Sequence, residues 1–213
     1  DCVDKRYCQE HRIAVANIRG YAINTVPEHT FALMLALRRN IFAYRSDVLA
    51  GVWQKVDQFC FFDHPINDLA GARLGIVGEG VLGQRVADIA KAFAMVPMFA
   101  AYKGVSGLGP LYTPWQQVLE TSDIITLHCP LTPQTRGMIA MPEFRAMKRQ
   151  PLIINTARGG LVDETDLVQA LDEGLISGAG FDVAREEPPP LDSPLMQVAQ
   201  RSNVILTPHV AWA

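Results

Sequence analysis

From Gly71 onward, two patterns of hydrophobic residues alternate along the chain. Short apolar runs predict strands at 73–77, 98–101, 124–127, 152–155, 176–181 and 204–206. Segments with apolar residues at helical spacing separate these runs, at 84–93, 114–120, 142–147 and 163–173. Near-continuous apolar strands that alternate with helices are typical of a parallel sheet covered on both faces. We therefore predict an α/β fold built on a doubly wound parallel sheet.

The earlier part of the chain predicts one long helix at about 25–50. Thr25 and Glu28 have the spacing of a capping box, with Thr25 as the N-cap. Gly51 is placed to end the helix, because glycine adopts the left-handed conformation common just after a helix.

The segment 31–37 within this helix is apolar nearly all round, which indicates burial on more than one side. Two interpretations stay open. It is either a core helix, or a helix shared with a second copy in a homodimer formed through the 27–50 region, with Trp53 just beyond. As the longest apolar run, it is too short to span a bilayer, so no membrane partner is expected.

Composition narrows the class of protein. With 213 residues, 49% hydrophobic and 19% charged, the chain can form one sizeable globular domain or two small ones. A formal charge of −3 gives no electrostatic argument for a nucleic-acid partner. The four cysteines form no CxxC pair, which favours reduced thiols and a cytoplasmic protein. His64 has no nearby set of ligands, so no metal site is predicted.

The sequence Gly-Glu-Gly-Val-Leu-Gly at 78–83 lies between a predicted strand and a predicted helix. Gly78 allows a tight turn, Gly80 allows a pyrophosphate to approach the backbone, and Gly83 allows the helix to pack against the strand. The free N–H groups of the helix would then bind the phosphates. GxGxxG alone is a weak signal, but strand, turn and helix together favour a dinucleotide site.

Polar residues follow three of the later strands. Arg158 comes after the fourth, Asp182 and Glu187 after the fifth, and His209 after the sixth. In parallel sheets these positions meet at one crevice. An Arg can hold a carboxylate, and a His beside a Glu can donate a proton to a carbonyl. Each residue alone has a structural explanation, but together they suit reduction of an anionic carbonyl compound.

Six stretches resemble the D-isomer-specific 2-hydroxyacid dehydrogenases: VPEHTFALMLALRR, GEGVLG, LHCPLTPQTRGMI, NTARGGLVDE, GAGFDVAREEPP and TPHVAWA. Within that family the segment VWQKVDQFCFFDHPINDLAG is most similar to the glycerate dehydrogenase (hydroxypyruvate reductase) branch. The resemblance implies that Arg158 binds the substrate carboxylate and carbonyl and that His209 is the acid and base. It also implies that Glu187 is the partner of His209 and that Asp182 holds the nicotinamide carboxamide. The other residues implied to line the cofactor are Gly78, Gly80, Val81, Leu82, Gly83, Tyr102, Lys103, Cys129, Pro130, Thr135, Thr156 and Ala157.

The acid that receives the adenosine ribose hydroxyls should fall near residue 101, where this chain has Ala101. Without that carboxylate a 2′-phosphate becomes acceptable, and Lys103 is placed to pair with it. The cofactor is therefore expected to be NAD or NADP. Glu79 is unusual inside a glycine turn, and we expect its side chain to point away from the phosphates.

Residues 1–20 predict a helix-like piece and a short strand at 13–16. The resemblance implies that 1–26 is a remnant of a largely missing substrate-binding domain, and that 27–213 is the cofactor domain. The chain is then a fragment, expected to have low activity.

The leading hypothesis is a dehydrogenase that interconverts small 2-keto acids and D-2-hydroxy acids, of the hydroxypyruvate/glycerate or glyoxylate/glycolate type. The alternative is a cofactor-sensing corepressor or scaffold of the same family. A formate dehydrogenase-like enzyme is disfavoured, because that relative has Gln where this chain has Glu187.

Overall fold

The computed structural model describes residues 3–18 and 20–213. Its centre is a seven-stranded sheet in the order β3-β2-β1-β4-β5-β6-β7, in which every neighbouring pair is parallel. The strands are β1 Arg73–Val77, β2 Val96–Ala100, β3 Tyr112–Thr113, β4 Ile124–Leu127, β5 Leu152–Asn155, β6 Gly178–Phe181 and β7 Val204–Leu206. The helices are α1 Lys5–Glu10, α2 Thr25–Arg38, α3 Ile41–Leu49, α4 Val52–Lys55, α5 Val81–Ala92, α6 Trp115–Thr121, α7 Met141–Ala146, α8 Glu164–Asp172 and α9 Pro194–Val198.

Both faces of the sheet are covered, as the sequence predicted. Helices α2 and α5 pack with Leu74, Ile76, Ile124 and Ile154 in one hydrophobic core, whereas α6 to α9 pack in a second. The neighbouring residues in the same strands, such as Ile125 and Ile153, belong to that second core. This alternation follows from the two-residue period of a strand and explains why the strands are apolar throughout.

The strand order reverses at β1. The chain runs outward through β2 and β3, returns, and continues on the other side through β4 to β7. In such sheets ligands bind at the carboxyl ends of the strands where the order reverses, which here is the crevice between β1 and β4.

Strand β2 contains Pro97, which lacks the N–H that a ladder hydrogen bond requires. The N–H of Val96 donates to Ala72 O on the β1 side, so the Pro97 nitrogen faces the opposite side. There β3 pairs only with Phe99 and Ala100. The missing donor therefore costs no ladder bond, and the proline is tolerated.

The predicted helix at 25–50 is two helices. The chain breaks at Asn40, which has φ 49°, in the left-handed region that asparagine tolerates better than most residues. Thr25 is not the N-cap, because the N–H of Val26 already donates to Ala22 O and the helix begins with Asn24 as its N-cap. The predictions of one helix and of a capping box at Thr25 were wrong.

Helix α2 is a core helix of this chain. Phe31, Leu33, Met34 and Leu37 are all at most 6% exposed, packed beside β5 and β6. The side chains of 31–37 that face the sheet are therefore buried within this chain, whereas Ala32 is exposed and Leu35 is half-buried. Large exposed apolar side chains lie further along: Ile41, Phe42, Val48, Leu49, Trp53, Phe59, Phe62 and Ile66.

The strand predicted at 13–16 is irregular, with Ile13 and Val15 about half exposed. Among the described helices none is long and apolar enough to cross a membrane.

Candidate active site

The glycine turn joins β1 to α5 with very close packing. A methyl group on Gly83 would lie 2.0 Å from Gly78 O, so only glycine allows the helix to approach this turn. A methyl group on Gly80 would meet no described atom within 4 Å. No described side chain caps the first turn of α5, so its N–H groups are open to a ligand. An open backbone beside uncapped N–H groups fits a pyrophosphate.

A cleft of about 840 Å³ opens at the carboxyl ends of the strands beside this turn. It collects nine of the predicted site residues: Val81, Leu82, Cys129, Pro130, Thr156, Ala157, Arg158, Asp182 and His209. Burial raises the pKa of the Cys129 thiol to about 11, so this sulfur stays protonated at neutral pH. The crevice predicted from the order of the strands is therefore present.

Arg158 lies on a turn that Asn155 fixes. The Asn155 side chain is fully buried; its Oδ1 accepts from the N–H groups of Ala157 and Arg158, and its Nδ2 donates to Arg158 O at 2.8 Å. The guanidinium is exposed and donates to Ala157 O at 2.6 Å. A backbone fixed by Asn155 thus presents the Arg158 guanidinium at the cleft.

His209 and Glu187 form a close pair. His209 Nδ1 lies 2.6 Å from Glu187 Oε2, and Glu187 Oε1 accepts from Ala184 N at 3.0 Å. Because a carboxylate only accepts, Nδ1 carries the hydrogen, and Nε2 is the nitrogen free to exchange a proton with a ligand. His209 has φ 56°, a conformation that costs energy outside glycine and that is often found at functional sites.

Asp182 holds the loop that carries His209. It is 1% exposed and accepts hydrogen bonds from Thr207 Oγ1, Val210 N and Ala211 N, at 2.6, 3.0 and 2.8 Å. A carboxylate has about four acceptor positions, so one remains for a ligand. The position of His209 therefore depends on Asp182.

Three predicted cofactor residues do not line this cleft and form hydrogen bonds within the chain. Tyr102 donates its hydroxyl to Glu79 Oε1 at 2.7 Å, outside the cleft. Lys103 Nζ pairs with Glu143 Oε1 at 2.7 Å and donates to Met138 O at 3.2 Å. Thr135 donates to Pro130 O at 2.7 Å, which stabilises its own loop. A 2′-phosphate would therefore compete for Lys103 with Glu143 and Met138 O.

The model of the D-isomer specific 2-hydroxyacid dehydrogenase NAD binding domain matches residues 31–211. The chain belongs to this family. It is 51% identical to a glycerate dehydrogenase of Methylorubrum extorquens, over 100% of this chain and 66% of that relative. It is 37% identical to a hydroxypyruvate reductase of Blautia hydrogenotrophica, over 99% of this chain and 66% of the relative.

Solved structures of the family share the fold. A D-lactate dehydrogenase from Aquifex aeolicus, crystallised with NAD and lactic acid, superposes with a TM-score of 0.83 at 32% identity. The match covers 98% of this chain and 66% of that one. The chain thus spans about two thirds of the length of these relatives. The predicted family and fold are confirmed.

Four residues that line or adjoin the cleft were not identified from the sequence. His128 and Arg136 line the cleft, and His128 directly follows β4, so the rule that found Asp182 also applied to it. His29 Nε2 lies 2.9 Å from Thr207 Oγ1, and Thr30 Oγ1 lies 2.9 Å from Thr156 Oγ1. Because the Thr207 proton goes to Asp182, His29 is the donor. These two contacts join α2 to the cleft.

His128 predicts how stability depends on pH. Burial lowers its pKa to about 4, from the usual 6.5, so the folded state keeps the imidazole neutral while the unfolded chain takes up a proton. The contribution of the neutral imidazole to the free energy of unfolding should be fully present above about pH 6.5 and should be lost as the pH drops toward 4. We expect the Tm of His128→Gln to decrease less over this range, measured by calorimetry. An identical decrease in both proteins would contradict this.

Proposed function

We propose that this protein interconverts a small 2-keto acid and a D-2-hydroxy acid with NAD or NADP, with hydroxypyruvate or glyoxylate as the keto acid. The observation that carries the proposal is the His209–Glu187 pair at 2.6 Å, beside a cleft that also contains Arg158. The relatives named glycerate dehydrogenase and hydroxypyruvate reductase support this substrate class.

In this proposal the chain holds and orients the reactants. When bound, the nicotinamide supplies the hydride for the carbonyl carbon. Arg158 binds the substrate carboxylate and carbonyl through its guanidinium, whose planar geometry suits bidentate contacts. His209 delivers a proton from Nε2 to the carbonyl oxygen, and Glu187 holds the ring in place through Nδ1. Asp182 has one acceptor position left for the carboxamide.

The cofactor contacts follow from the same cleft. Val81 and Leu82 offer backbone N–H groups to the pyrophosphate, while Cys129, Pro130, Thr156 and Ala157 line the cleft. The engagement of Lys103 with Glu143 weakens the argument for NADPH that Ala101 suggested.

We further propose that residues 1–26 belong to a separate substrate-binding unit, and that residues 1–213 alone turn over slowly. His209 is 39% exposed in this chain, and water weakens the electrostatics that a closed cleft would strengthen. The described cysteines Cys8, Cys60 and Cys129 are unpaired, which supports a cytoplasmic protein.

We propose that the protein is a homodimer through α3 and the residues that follow it. Phe42 and Leu49 are 53% and 70% exposed, and obligate dimers bury more than about 2,000 Å² of such surface. Phe42→Asp/Leu49→Asp should convert the dimer to a monomer in light scattering. Val105→Asp changes a similarly exposed residue elsewhere and should leave the dimer intact. A wild-type monomer at micromolar concentration would contradict the proposal.

The function is tested by titrating the complete protein with NADH and NADPH, and then by assaying a panel of 2-keto acids. We expect binding of a reduced dinucleotide in the micromolar range and turnover of hydroxypyruvate or glyoxylate. Residues 1–213 alone should bind the dinucleotide but turn over much more slowly. Dinucleotide binding without turnover of any 2-keto acid by the complete protein would instead favour a cofactor sensor.

A further inference from the structure

The geometry points to Glu79, in the glycine turn, as the acid that receives an adenosine ribose hydroxyl and makes this protein prefer NADH to NADPH. This inference rests on the proposed dinucleotide site. In the usual arrangement an acid about 20 residues beyond the glycine motif, at the end of the second strand, has this task. Here that position is Ala101, which is buried and has no polar side-chain atom.

The Glu79 carboxylate lies at the end of β2 although its backbone belongs to the glycine turn. Strands β1 and β2 are hydrogen-bonded neighbours, so the turn after β1 lies beside the residues after β2. The Tyr102 hydroxyl donates to Glu79 Oε1 at 2.7 Å, one residue beyond Ala101. A carboxylate from a different segment of the chain is therefore held by the residue that directly follows Ala101.

Glu79 is ionised and has acceptor capacity left. The hydrogen bond from Tyr102 lowers the pKa of the Glu79 carboxyl, and its own backbone N–H and Tyr112 lower it further. Tyr102 donates to Oε1, and the carboxylate also interacts with its own backbone N–H and with Tyr112, which leaves about one of its four acceptor positions. A ribose hydroxyl is a donor that this position accepts.

The cation that would favour NADPH is held elsewhere. Lys103 Nζ is 2.7 Å from Glu143 Oε1, whose side chain is only 8% exposed, and Glu143 also accepts from Ala140 N. Moving Lys103 to a phosphate would leave a buried carboxylate without its cation, which is costly. A 2′-phosphate carries a charge of about −1.5 to −2 and would meet Glu79 with like-charge repulsion.

The test is fluorescence titration of the complete wild-type protein, Glu79→Gln and Tyr102→Phe with NADH, NADPH and reduced nicotinamide mononucleotide. The wild type should bind NADH at least about 10-fold more tightly than NADPH, and Glu79→Gln should reduce that ratio by roughly 10–100-fold, the range of a charge-assisted hydrogen bond. Tyr102→Phe should weaken NADH by about 3–10-fold. The mononucleotide, which lacks the adenosine, should bind all three proteins equally.

Glu173→Gln is the matched control, because it removes one exposed acid from the end of α8 and should change no affinity. Equal Tm values would show that the variants are folded. A wild type that prefers NADPH, or an NADH/NADPH ratio that Glu79→Gln leaves unchanged, would overturn this inference and leave the proposed function standing. If the wild type binds neither dinucleotide, the proposed function fails and this inference fails with it.

Discussion

Replacing His209 with alanine should lower the rate of 2-keto acid reduction by about 10²–10⁴-fold, the usual contribution of a positioned acid. The Nδ1 atom of His209 is held 2.6 Å from Glu187, so Nε2 is the atom that donates the proton. Because the variant removes a proton donor and no group that we assign to the dinucleotide, the affinity for NADH should barely change.

The measurement is the single-turnover rate in the complete protein, together with the dissociation constant of NADH. His11→Ala is the control, since His11 is exposed and its described contacts are a hydrogen bond to Tyr7 O and stacking on the Tyr7 ring. Glu187→Gln keeps a hydrogen-bond acceptor but loses the charge, and should reduce the rate more mildly. A His209→Ala protein within a few fold of the wild type would show that the acid is another residue.

Replacing Gly83 with alanine should both destabilise the fold and strongly weaken dinucleotide binding. The added methyl group would lie 2.0 Å from Gly78 O, so α5 has to move away from the turn that it completes. Overpacking of this kind costs about 1–3 kcal/mol of unfolding free energy. The affinity for NADH should fall by roughly 100-fold or more, because the N–H groups of the helix move away from the pyrophosphate.

Gly80→Ala is the matched variant. Its methyl group meets no described atom within 4 Å and its φ of −65° suits alanine, so stability should be unchanged. NADH affinity should still fall, because that open space is where the pyrophosphate approaches the backbone. Thermal melts and NADH titrations of both variants are the measurement. If Gly80→Ala binds NADH as the wild type does, the phosphates lie elsewhere.

The sheet was predictable because burial on both faces makes each strand a short apolar run, and glycine or polar residues flank each run. Strand β3 was missed because its pairing covers only Tyr112 and Thr113, too few residues to show a period. The break at Asn40 was missed for a different reason. The helical periodicity continues through it, and the left-handed turn is fixed by a hydrogen bond from Asn40 Nδ2 to Pro65 O, which is distant in sequence.

The residues of the site were predictable from strand order, since Arg158, Asp182 and His209 each follow a strand. The side-chain contacts around the site were less predictable. The direction of Glu79 depends on the Tyr102 hydroxyl, and the engagement of Lys103 depends on Glu143 in α7. Such contacts join residues that only the folded chain brings together. An expectation based on Ala101 and Lys103 alone therefore leaves out Glu79 and Glu143, the two groups on which our proposal of NADH preference rests.

The most direct test of the account is the product that the complete protein forms from hydroxypyruvate and NADH. We expect one D-glycerate for each NADH consumed, identified by chiral chromatography, with the rate nearly abolished in His209→Ala. Formation of L-glycerate would contradict the proposed D-stereochemistry. Binding of NADH without consumption of it across the 2-keto acid panel would contradict the central claim that this cleft reduces a 2-keto acid.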